Sequence, residues 1–95
     1  VYWYTMPAQI KAVLDKFYSF FVAGREIGGK KCALISCCEA EDEKTFDGVR
    51  FAYEQSVGLI GWQSVGEVLV PAVNAAGDIE KTDGCARAAA LAELF

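Results

Sequence analysis

Tyr2-Trp3-Tyr4-Thr5-Met6-Pro7 is the segment richest in chemistry: three consecutive aromatic side chains lead into a proline that suits the start of a helix. Aromatic rings in a loop are costly to leave in water. Two coverings would satisfy them. A flat aromatic ligand would stack there while the free N–H groups of the helix start bond its carbonyl oxygens. Alternatively, the rings pack on another helix or on a partner.

The thiols are the second candidate group. Cys32, Cys37, Cys38 and Cys85 form no C-x-x-C pair, and the chain has no histidine to complete a zinc site. Cys37 and Cys38 are vicinal, so on a strand they point to opposite faces. Reduced, metal-free thiols in a cytoplasmic compartment are the expectation. The lack of histidine also argues against Ser-His-Asp and Cys-His catalysis. Lys11 and Asp15, one helical turn apart, read as a surface ion pair rather than as catalytic groups.

The elements that must hold these residues follow from periodicity. Ile10, Val13, Leu14, Phe17, Phe20 and Phe21 recur at helical spacing and predict an amphipathic helix over 7–22, with Pro7 at its first position and Thr5 or Met6 at its cap. Residues 31–38 are a continuous apolar run, expected as a parallel strand covered on both faces. An acidic loop, 39–44, precedes a helix over 45–60, capped by Thr45, striped by Phe46, Val49, Tyr53, Val57 and Ile60, and stopped by Gly61. Residues 62–70, ended by Pro71, predict a second strand with the polar insertions of a sheet edge. After a turn at 74–77, residues 82–95 predict a helix with Cys85, Ala88, Ala89, Ala92 and Phe95 on its apolar face.

Alternating helices and strands at this spacing imply βαβ units and a parallel sheet. Two strands cannot cover three apolar helix faces. The expectation is therefore an α/β fold whose N-terminal strands are missing, with Val1-Tyr2 as the tail of one of them. In such sheets ligands bind beyond the carboxyl ends of the strands, here residues 2–6, 38–45 and 71–77.

Composition narrows the function classes. The chain of 95 residues is 54% hydrophobic and 23% charged, the profile of one core-forming domain. Its net charge is -4, which argues against nucleic acid. Residues 1–31 carry five basic and two acidic side chains, whereas residues 39–54 carry six acidic and two basic. No apolar run approaches the roughly 18 residues of a membrane span. No basic segment followed by a long apolar run marks a secretory signal.

The run from Val1 to Tyr18 resembles the third-strand loop and helix of NADPH-dependent FMN reductases and related flavodoxin-like flavoproteins, whose pattern there is roughly Ser-Pro-x-Tyr-x-x-x-Met/Pro-x-x-x-Lys-x-x-x-Asp-Arg. Lys31 to Cys38, Phe46 to Trp62 and Val68 to Ile79 continue the likeness. It implies a flavodoxin-like parallel sheet with flanking helices, residues 1–95 being the C-terminal portion of a single such domain. It also implies FMN as cofactor, NAD(P)H as electron donor and a homo-oligomer, with flavin and nicotinamide as its small-molecule partners. The activity implied is that of an FMN-dependent NAD(P)H oxidoreductase of the flavin- or quinone-reductase type. A non-catalytic flavodoxin-like assembly module is the alternative.

By the same likeness Tyr2, Trp3, Tyr4, Thr5 and Met6 would touch the flavin ring and ribityl chain, and the loop from Cys38 and Glu39 would close the far side. The family pattern has glycines where this chain has Cys38, Glu39 and Ala40. Its phosphate-binding loop has no counterpart here, since Gly28-Gly29 lies between helix and strand. The cysteine cluster of the iron–sulfur members has none either. Flavin chemistry needs little acid–base machinery from the protein, so the absence of histidine is compatible with it.

Overall fold

The apolar stripes become three helices around a two-stranded sheet in the computed structural model, which describes all 95 residues. Helix α1 runs Ala8–Val22, strand β1 Lys31–Cys37, helix α2 Asp47–Ile60, strand β2 Gln63–Val70 and helix α3 Gly84–Leu91. Short 3-10 turns precede α2 (Glu43–Phe46) and flank α3 (Asp78–Lys81 and Ala92–Leu94). The strands pair in parallel, as the alternation predicts, with Cys37 opposite Val70. One register shift occurs where Cys32 faces Ser64 but Ala33 faces Gly66, leaving Val65 as the extra residue.

Two small clusters form the core, one on each face of the sheet. Cys38, Phe46 and Val49 pack with Leu34 and Leu69 on the α2 side. Val68, Val70 and Leu91 pack with Ala33 and Ile79 on the α3 side. Phe46 is fully buried. Gly61 ends α2 with φ 73°, the left-handed stop expected of it. Trp62 is anchored by its ring N–H on the Ile27 carbonyl and by a tilted contact with Phe17 at 5.6 Å. Asp78 ties down the turn before α3, its carboxylate accepting from the N–H groups of Asn74 and Ala75, which hold its pKa below the ordinary aspartate value.

Several expectations are corrected. Pro7 is the residue before α1 rather than its first, and no side chain caps that helix. Thr45 caps nothing: Asp42 accepts from Lys44 N–H and starts a 3-10 turn that leads into α2. The buried side of α3 is Gly84 and Leu91 with half-buried Ala88, while Cys85, Ala89, Ala92 and Phe95 are exposed. An alanine-rich helix has no steep apolar stripe, so spacing alone selects its face poorly.

β1 is not covered on both faces. Ile35 at its middle is 61% exposed, because α3 packs over β2 and leaves that face of β1 open. None of the residues of α1 is buried. No helix is long and apolar enough to cross a membrane.

Candidate functional site

Tyr2 to Thr5 folds as a two-residue hairpin. Tyr2 N–H donates to the Thr5 carbonyl at 2.8 Å, and Thr5 N–H returns a bond to the Tyr2 carbonyl at 3.1 Å. The residues at its tip, Trp3 and Tyr4, have φ of 49° and 68°. Positive φ at both central positions is the signature of a type I′ turn, which favours Asn-Gly. Two bulky aromatic residues there are a conformational cost, on the order of 1–3 kcal/mol each. Both rings nevertheless point into water, Trp3 being 93% exposed.

The hairpin is held from two sides. Val1 N donates to the Cys37 carbonyl at 2.7 Å, which seats the segment beside the carboxyl end of β1. The Tyr4 carbonyl lies against Gly48 in the first turn of α2, so closely that a Cβ at that position would collide with it. Gly48 is therefore a positioning residue that spacing did not single out. A lone glycine inside an apolar helical pattern is the signal that marks such a close approach.

The loop after β1 supplies the opposite wall. Cys38 continues the ladder, its N–H donating to Val70 and its carbonyl accepting from Val73. Its side chain turns inward against Phe46 and Val49, and burial pushes its thiol pKa up. The strand parity thus separates the vicinal thiols as expected: Cys38 is buried and Cys37 exposed. From Cys38 the chain turns outward through Glu39, Ala40 and Glu41.

Hairpin and loop together enclose an open cleft of about 540 Å³, lined by Val1, Trp3, Tyr4, Cys38, Glu39, Ala40, Glu41 and Thr45. It lies at the carboxyl ends of the strands, where open α/β sheets bind ligands. Of the expected site residues, Trp3, Tyr4, Cys38 and Glu39 meet here. Thr5 and Met6 instead line a separate apolar cleft of about 320 Å³ between α1, β1 and α2, and Tyr2 lines neither. Ala40, Glu41 and Thr45 also line it and fall within the expected strand-end segment 38–45, whereas Val1 lies outside the expected segments.

The side-chain charge of the cleft is one-sided. Glu39 and Glu41 are its only ionisable carboxylates, and no lysine or arginine lines it. Such a wall accepts a neutral or electron-poor ring and repels a phosphate dianion.

A second polar group lies behind the site. Tyr53 of α2 donates to Ser64 Oγ at 2.9 Å and sits 3.2 Å from Cys32 Sγ, joining the helix to both strands at the register shift. Burial, reinforced by the Cys32 contact, pushes the Tyr53 pKa up. Lys11 and Asp15 form the expected surface pair at 2.6 Å, both well exposed.

Comparison with protein-family models, curated proteins and solved structures finds no match to this chain.

Proposed function

We propose that this chain forms the ring-side wall of the flavin site in an FMN-dependent NAD(P)H oxidoreductase of the flavin- or quinone-reductase type, as the C-terminal portion of a flavodoxin-like domain. The observation that carries the reading is the cleft at the carboxyl ends of a parallel strand pair, walled by Trp3 and Tyr4 on one side and the Cys38–Glu41 loop on the other. Strain supports it. A turn whose backbone favours Asn-Gly instead carries two exposed aromatic residues, and conformational cost of that kind concentrates at ligand sites.

When bound, FMN supplies the hydride chemistry. The chain's own part is to stack against the ring, to shield it from water and to keep anions at a distance through Glu39 and Glu41. The phosphate falls to residues outside this cleft. The edge of β1 away from β2 is unpaired, and the apolar cleft beside it is flanked by Ile10 and Leu14 of α1. Parallel sheets normally lie buried with more strands than two, which supports further strands of the same domain on that edge.

A second reading, a non-catalytic assembly module, draws on the surface of α1. Ile10, Val13, Phe20 and Phe21 are each 43–53% exposed, an apolar face suited to a further protein surface in a homo-oligomer.

Titration of FMN into protein that includes the further strands of the domain, followed by flavin fluorescence, separates the readings. The expected result is saturable quenching that the Trp3→Ala/Tyr4→Ala variant weakens about tenfold or more, since each aromatic contact contributes roughly 0.5–1.5 kcal/mol. Equal affinity in both proteins removes these rings from the flavin site. Absence of any binding, together with a sedimenting oligomer, favours the assembly module.

A further inference from the structure

Cys37 and Cys85 do not belong to the flavin reading, yet the fold brings both to one place. Odd-numbered residues of β1 face α3: Ala33 packs into the cluster of Val68, Val70 and Leu91, whereas even-numbered Leu34 packs on the α2 side. Cys37 is odd and pairs in register with Val70. Gly84 opens α3 directly over that same Val70, whose Cγ2 lies where a Cβ of Gly84 would go. Cys37 is therefore one strand away from the Val70–Gly84 contact, a spacing of about 4.8 Å, and Cys85 is the next residue along the helix. Both line a single cleft of about 260 Å³, with Ala88 one turn further along α3.

The remaining thiols are differently engaged. Cys38 is buried on the far face. Cys32 is held there by Tyr53 and the Gln63 carbonyl. Cys37 and Cys85 are the two exposed cysteines, and both are free.

We propose that Cys37 and Cys85 form a paired-thiol modification site that hydrogen peroxide oxidises to a disulfide bridging β1 and α3. One thiolate attacks the peroxide oxygen, the O–O bond breaks, and a sulfenic acid and water result. The second thiolate attacks that sulfur and expels a second water, so two thiols and one peroxide give one disulfide and two waters. The bridge joins α3 to a strand it does not otherwise cover.

The experiment treats the purified protein with one equivalent of hydrogen peroxide, blocks residual thiols and maps tryptic peptides without reduction. The expected product is residues 32–44 linked to residues 82–87, with the link absent from Cys37→Ser and retained in Cys32→Ser and Cys38→Ser. In Cys85→Ser, whose fold is checked by circular dichroism, the same single equivalent should leave Cys37 as a sulfenic acid that dimedone traps. A link that survives Cys37→Ser, bridges only between molecules, or separate oxidation of the two thiols would overturn the proposal.

Discussion

Helices α1 and α2 carry comparable apolar stripes but meet different fates. α2 delivers Val49 into the core, with Phe46 fully buried at the turn that leads into it, and Tyr53, Val57 and Ile60 half-buried behind them. α1 has Phe17, Phe20 and Phe21 at matching spacing, and not one of its residues is buried. The difference lies in what each helix has to lie on. α2 rests on both strands through Leu34 and Leu69 and is stapled to β2 through Tyr53 to Ser64 and Arg50 to Glu67. α1 faces the unpaired side of β1 across a cleft of about 320 Å³. Periodicity specifies that a helix has an apolar face, whereas burial depends on how many strands stand opposite it.

The comparison is broken most directly by truncating one phenylalanine on each side. Phe46→Ala should cost about 3–5 kcal/mol, the range for emptying a packed aromatic site. Phe20→Ala, 43% exposed, should stay within about 0.5 kcal/mol. Urea denaturation of both variants checks it. Equal losses would mean that α1 is as well packed in solution as α2, with its face covered.

The hairpin where the two halves touch sharpens the contrast. Trp3→Asn with Tyr4→Gly installs the pair that a type I′ turn favours, and should raise stability by about 1–2 kcal/mol by relieving two left-handed aromatic residues. The same variant should lose whatever FMN affinity the parent has. A gain of stability without loss of binding would detach the strain from the site, and a loss of stability would mean that the rings pack on something.

Elements were legible where one strong pattern governed them. The run 31–38 and the stripe from Phe46 to Ile60 named β1 and α2 almost to the residue, and parallel pairing followed from their alternation. Tertiary detail was not legible. The collision that reserves Gly48 for glycine involves a carbonyl 44 positions earlier in the chain. The left-handed backbone at Trp3 and Tyr4 contradicts the preference of both residues, so no local rule reports it. The site divided for the same reason. Trp3 and Tyr4 leave the turn toward the strand ends, whereas Thr5 and Met6, past the bend, fall beneath α1.

The smallest effect tests the staple between α2 and the sheet. Tyr53→Phe removes a hydroxyl that donates to Ser64 Oγ and contacts Cys32 Sγ, and should cost about 1 kcal/mol near neutral pH. Burial raises the folded-state pKa of Tyr53 above its ordinary value of 10.0. In the unfolded chain the phenol ionises at that ordinary value, so between the two values the folded state holds a proton that the unfolded state has released. The stabilisation by neutral Tyr53 is therefore fully present below pH 10 and declines as pH rises toward the folded-state value. Other groups titrate in the same range, so the diagnostic quantity is the difference between wild type and Tyr53→Phe rather than either curve alone. That difference should stay constant from neutral pH to about pH 9 and shrink above about pH 10, followed by urea melts at each pH. A gap that stays constant through the alkaline range would show that the phenol ionises as freely in the folded protein as in the unfolded one, and a gap near zero at neutral pH would remove the Tyr53 hydroxyl from the contacts that hold α2 on the sheet.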